Sequence, residues 1–232
     1  MSQVALAGGD LEGFSVDQPA ASVRLLIPSP GSPDLVIPTW NGNEFLLADG
    51  TRPAIRTFTP RRVDSERGEL ELEIVLHDGG VVSDWVRGAA VGDPAAISGP
   101  GRGYGIDHAA PAFLVAGDES AIPAISQLLE SLPGQTPVTV FIEVAHPDAR
   151  LTLPHHPLAA VEWCDLIPGA PPGDALFSAI RNAGIEPEAR LWVAGEAAAM
   201  HRIRSHLFEE RGVPRSQAAV RGYWKRERSS VG

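Results

Sequence analysis

The strongest constraint on the fold is a change of hydrophobic period part-way along the chain. Up to about residue 107 the apolar residues come in short alternating runs broken by turn chemistry: ASVRLLIPSPGSPD, FLLADGTRPAIRTFTPRRVD, ELELEIVLHDGG and GDPAAISGPGRG. Strands at that spacing, without long helices between them, predict an antiparallel barrel or sandwich. A short helix is expected at SDWVRGA, capped by Ser83. Beyond the junction HAAPA, apolar strands alternate with helical spacing. AFLVAG (112–117), VTVFIEV (138–144), VEWCDL (161–166) and RLWVAG (190–195) read as strands. IPAISQLLESL, ALFSAIRNAG closed by Gly184, and EAAAMHRIRSHLFEERG stopped by Gly212 read as helices. This alternation predicts a parallel sheet covered on both faces, with ligands at the carboxyl ends of its strands. The expected boundaries are 1–109 for the all-β domain and 110–232 for the α/β domain.

Composition removes several classes of function. The formal charge of −10 over 232 residues argues against nucleic-acid binding, which needs a basic surface. No apolar run reaches the length of a membrane helix and the N-terminus lacks the pattern of a signal peptide, so a cytoplasmic protein without stable membrane association is expected. Cys164 is the only cysteine, which excludes an internal disulfide and an all-cysteine iron–sulfur cluster. Any electron transfer therefore needs an organic cofactor, and Cys164 itself, within VEWCDL, reads as a buried inert thiol. His201 and His206 are off zinc spacing, His155 and His156 sit in a Pro-rich loop, and no metal site is expected.

Five segments can carry chemistry. RTFTPRR sets Arg56, Arg61 and Arg62 around Phe58; taken alone this reads first as an ordinary strand with Phe58 inward and its arginines in water, and second as a combination that pairs with phosphate and packs on a flat heterocycle. HDGGVVSDW offers glycines before a helix start, where free N–H groups bind anions. AGDESAIPAI delivers Asp118, Glu119 and Ser120 to a strand end, and AGE (194–196) repeats that ending. From Arg190 onward the chain holds nine basic residues against four acidic ones, and GYWKRERSS contains its only lysine, Lys225, beside Arg226 and Arg228. A solvated basic face and an anion site both fit this cluster.

Taken in order, these blocks resemble the siderophore-interacting proteins of the ferredoxin reductase-like superfamily over roughly residues 4 to 226. The resemblance implies an antiparallel Greek-key β-barrel that binds FAD, followed by an α/β parallel-sheet NAD(P)-binding domain. It implies that Arg56, Phe58 and Thr59 meet the flavin, with Phe58 where the family usually has tyrosine. It likewise implies that His77, Gly80, Val82, Ser83 and Trp85 wrap the pyrophosphate, with Val81 and Val82 replacing the usual Pro-Ala. Asp118, Glu119 and Ser120 then fall at the nicotinamide site, Ala194, Gly195 and Glu196 on the second nucleotide block, and Tyr223 and Trp224 beside the flavin. Lys225, Arg226 and Arg61 are the expected docking residues for an anionic ferric siderophore. The N-terminus aligns with the end of the family's first barrel strand, so a shortened strand is expected. The implied reaction passes electrons from NADH or NADPH through FAD to siderophore-bound Fe(III), with no catalytic acid, base or nucleophile. A free flavin or a ferredoxin as acceptor, and a non-catalytic binding module, stay open as alternatives. No motif chooses between NADH and NADPH; Arg150, Arg202 and Arg204 are the candidates for holding a 2′-phosphate.

Overall fold

Period-two patterning builds the first half. In a computed structural model, which describes residues 1–226, the chain divides into one unit spanning Met1–Tyr104 and a second that begins at Gly105. Strand β1 (Ser2–Ala7) pairs antiparallel with a later strand, Glu69–Ile74, from Ser2 opposite Ile74 to Ala7 opposite Glu69, so the opening strand is paired along its full six residues. Further strands are β2 (Val23–Leu26), the hairpin β3 (Thr39–Trp40) and β4 (Phe45–Leu46), β5 (Ile55–Phe58), β6 (Pro60–Asp64), β7 (Glu69–Ile74) and β8 (Ala96–Ser98). They form antiparallel sheets of order β1-β7-β6 and β5-β2-β8. Leu70, Leu72 and Ile74 alternate with glutamates along β7 and meet Val23, Leu25 and Ile27 in one barrel core.

RTFTPRR is a corner, where the sequence suggested a strand leading into a turn: β5 passes into β6 through the single buried residue Thr59, and the chain changes sheet there. The glycines of GPGRGY answer a close approach. Gly101 N donates to Ser22 O (2.7 Å), and a Cβ on Gly103 would stand 2.4 Å from Gln18 Cβ.

The second unit holds β9 (Phe113–Asp118), α2 (Ile122–Ser131), β10 (Val138–Val144), β11 (Ala159–Asp165), α3 (Asp174–Asn182), β12 (Arg190–Glu196), α4 (Ala197–Ser205) and β13 (Ala218–Trp224); α1 (Val81–Gly88) belongs to the first. All five strands are parallel, in the order β11-β10-β9-β12-β13. The order reverses between β9 and β12, so the carboxyl ends of those two strands flank a topological switch point. One face of the sheet packs Leu114, Phe141 and Val193 against Leu176 and Ile180 of α3 and Met200 and Ile203 of α4. Residues of opposite parity, such as Val115 and Ile142, are also fully buried, and α2 packs on β9 with Ile125 and Leu128 at 0% exposure. Removing a side chain as buried as Leu128 costs about 2–5 kcal/mol. Cys164 is buried as expected, and desolvation pushes its thiol up to about 11.

Three expectations need correction. The sheet is not covered throughout: β10 crosses to β11 through residues 145–158, which hold no α-helix but just the one-turn 3-10 segment Pro147–Ala149, with Pro154 and Pro157 beyond it, and Val161 is 42% exposed. Ser83 is not a cap, because α1 starts two residues earlier behind Gly80, and the Ser83 hydroxyl instead accepts from His77 N at 3.1 Å. Gly184 does not close α3; Ala183 does so in extended geometry (ψ 140°), because the chain leaves the helix without a left-handed turn.

Gly212, by contrast, does sit just beyond the π-helical turn His206–Glu210 that continues α4, at φ +67°. Thermal or urea unfolding should show Gly212→Ala losing about 1 kcal/mol while Gly184→Ala stays within about 0.5 kcal/mol of the parent.

Candidate functional site

In the second unit the candidate residues converge on one buried carboxylate. Asp118 ends β9 at 7% exposure. Its Oδ1 accepts from Ser120 N (3.0 Å) and Ser120 Oγ (2.5 Å), and its Oδ2 from Glu196 N (2.9 Å) and Trp224 Nε1 (2.8 Å). Asp118 thus ties β9, the turn after it, β12 and β13 together at the switch point. Burial pushes its carboxyl above the usual range, with the four donors pulling the other way.

Only small residues fit around it. A Cβ on Gly195 would stand 2.6 Å from Asp118 Oδ2, and one on Gly117 would stand 2.4 Å from Ala121 Cβ and 2.8 Å from Ala194 O. Glu196 caps α4, its Oε2 accepting from Ala198 N (2.6 Å) and Ala199 N (3.0 Å), while its Oε1 accepts from Arg226 N (3.3 Å). Glu119 turns away to accept from Ala145 N at 2.7 Å. Tyr223 packs edge-on against Trp192, with centroids 6.1 Å apart. Lys225 and Arg226 are exposed just past β13; Arg228 lies outside the described residues.

Sequence reasoning missed Glu143, at the end of β10. It is 3% exposed and holds the start of α3 through Gly173 N (2.6 Å) and Leu176 N (2.9 Å). The signal was there: an acid inside VTVFIEV needs a buried partner. Burial raises its pKa against those two donors.

In the first unit Arg56 is exposed on β5, where its Nη1 donates to the Ile55 carbonyl at 2.8 Å. Phe58 and Trp85 are half-buried against the barrel core, Thr59 and Val82 are buried, and so Val82 can reach a ligand only through its backbone. His77 and Ser83 flank Gly80, where a Cβ would stand 2.6 Å from the His77 ring and 2.9 Å from Ser83 Oγ. The Gly79–Gly80 turn therefore leads straight into the free N–H groups of the first turn of α1, a place for a phosphate. These residues fit a phosphate-bearing flavin: Arg56 for charge, the turn and α1 for N–H donors. Arg61 differs from expectation. Its side chain is 10% exposed and lies 3.9 Å from Glu73, turned inward by the irregular pairing of β6 at Pro60–Arg62.

A barrel of this kind followed by a parallel sheet of this strand order is the ferredoxin reductase-like fold. Phthalate dioxygenase reductase shares that fold alone, at 13% identity and TM-score 0.58 over 96% of this chain and 62% of the other. Within it, residues 1–104 match the siderophore-interacting FAD-binding domain and residues 110–227 the siderophore-interacting protein family, and the chain belongs to that family. A siderophore utilization protein from T. fusca matches at TM-score 0.78 and 29% identity, covering 99% of this chain and 88% of the other. Ferric vibriobactin reductase ViuB of Vibrio cholerae is 30% identical over 97% of this chain and 83% of its own. An uncharacterized protein of Mycobacterium tuberculosis is 40% identical over 79% of this chain and 69% of its own.

Two measurements probe this geometry. Gly195→Ala should lower stability by about 1–3 kcal/mol by forcing Asp118 off its donors. Glu143→Gln probes the raised carboxyl. A raised folded-state pKa means that the native protein holds the proton more tightly than the unfolded chain, so this contribution is fully present near pH 4 and is lost as pH rises through the folded value. The stability of the parent relative to Glu143→Gln should therefore fall as pH rises from about 4 and level off above the folded pKa.

Proposed function

We propose that this chain is an FAD-dependent reductase that takes electrons from NADH or NADPH and delivers them to a ferric siderophore, releasing Fe(II) in the cytoplasm. The observation that carries this reading is a topological switch point at the carboxyl edge of a parallel sheet, in a chain whose barrel unit also bears a Gly-Gly turn at the start of a helix. Kinship with ferric vibriobactin reductase supports iron chelates as acceptors. Among the described residues no helix is long and apolar enough to cross a membrane.

A bound flavin would accept two electrons from the nicotinamide and give them up singly. The chain's own residues bind and position. Arg56 supplies charge to the flavin phosphates, with N–H groups from the first turn of α1, and His77, held through its backbone by Ser83, borders that turn. Thr59 and Phe58 form the corner on which the ring system rests. At the sheet, Gly117 and Gly195 let the strand ends pack closely on Ala121 and Asp118, so that no side chain of theirs crowds the place offered to a nicotinamide. Asp118, fully engaged, fixes Ser120, Glu196 and Trp224 around it. Lys225 and Arg226 attract an anionic ferric siderophore; Arg61, turned inward, is not part of that surface. Hard Fe(III) chelators hold Fe(II) less tightly, so electron delivery is enough to release the metal, and no side chain need transfer a proton.

The direct test is the visible spectrum of the FAD-loaded protein under anaerobic conditions. Flavin bands should bleach with a reduced pyridine nucleotide and return on adding a ferric siderophore, with Fe(II) trapped by a ferrous chelator. Bleaching without reoxidation by ferric siderophores would overturn the acceptor. A folded protein that cannot be loaded with FAD would overturn the reductase. Reversing the charge of Lys225 and Arg226 together should raise KM for an anionic ferric siderophore by about tenfold at low salt, with kcat little changed.

A further inference from the structure

The three arginines able to hold a 2′-phosphate are all engaged within the second unit. One nitrogen of Arg150, Nη2, donates to both oxygens of Asp165 at 2.6 Å each. Arg202 Nη1 donates to Asp174 Oδ1 at 2.6 Å, and Arg204 donates to the Val220 carbonyl. NADH and NADPH differ only in the phosphate on the adenosine ribose, so the charge beneath that ribose decides between them.

The sheet offers two directions for the ribose. With the nicotinamide in the crevice between β9 and β12, the adenosine half runs along the carboxyl edge to one side or the other. Toward β13 there is one further strand, and β12 passes directly into α4 without a loop. Toward β10 and β11 there are two strands, about 10 Å of edge, and two connections, 145–158 and 166–173, able to wall a pocket. The second direction accommodates the larger half of the dinucleotide.

Charge on that side is unfavourable for a phosphate. Asp148 and Asp165 are exposed there, Arg150 is neutralised by Asp165, and His146 lies 3.3 Å from Asp148. Lys225 and Arg226 stand past β13, three strands or about 14 Å from β10. A 2′-phosphate would face acids and would have to break an ion pair to gain a cation. A ribose diol instead meets carboxylates, which accept hydrogen bonds from its hydroxyls.

Building on the donor reading above, we propose that the Arg150–Asp165 pair is a specificity element that makes NADH the donor and rejects NADPH. With its flavin site filled by FAD, the protein should bind 5′-ADP at least about tenfold more tightly than 2′,5′-ADP by calorimetry, and should show a similar kcat/KM preference for NADH. Asp165→Asn releases Arg150 and removes one negative charge, and should move both preferences toward the 2′-phosphate by about tenfold, mainly through KM. Adding Arg150→Ala to that variant should cancel the gain. Tighter binding of 2′,5′-ADP by the parent, or no change of preference in Asp165→Asn, would overturn the inference alone. Loss of reduction by both nucleotides together with no binding of either fragment would remove the donor reading beneath it, and the inference with it.

Discussion

The second unit is organised around the burial of one carboxylate. Asp118 sits where the strand order of the sheet reverses, and four donors from three separate segments converge on its two oxygens. A lone carboxylate in such a place is too costly to keep, and one surrounded by donors becomes a hub that specifies geometry. Close packing follows from it. Gly117 and Gly195 carry no side chain because the carboxylate and its neighbours fill that space. The crevice between β9 and β12 is thus shaped by what Asp118 excludes as much as by what it binds.

Carboxylates at the other strand ends serve the same end. Glu143 fixes the entry to α3, Glu196 the entry to α4, and Glu119 the exit from β10. Each converts an acid at the carboxyl edge of the sheet into a backbone anchor, so strands and helices meet in fixed geometry without long side chains intruding. The first unit relies on a different device. There Gly80 precedes the free backbone N–H groups that open α1, and the aromatic residues Phe58 and Trp85 lend the turn and the corner rigidity by packing into the barrel core.

Much of this was legible in the sequence where the pattern is local and repeated. The apolar run 138–144 is strand β10 to the residue, and the helical spacing after Asp118 is α2. The resemblance to siderophore-interacting proteins named the family correctly. What escaped depends on geometry between distant residues. Ser83 has the composition of a cap, yet Gly80 takes that place and leaves the serine to hold His77. Arg61 reads as a surface cation, yet irregular strand pairing turns it in toward Glu73. The bare flank of β11 escaped because the alternation of apolar strands and helices points to cover across the whole sheet, although the proline-containing connection before β11 supplies just the 3-10 turn Pro147–Ala149.

The bond from Trp224 to Asp118 joins positions 106 residues apart, between the first strand of the sheet and the last in sequence. During synthesis β9 emerges well before β13, and until then the carboxylate has lost one of its four donors and its outer neighbour. The arrangement around Asp118 is therefore completed last in synthesis, once β13 pairs with β12 and brings Trp224 to the carboxylate.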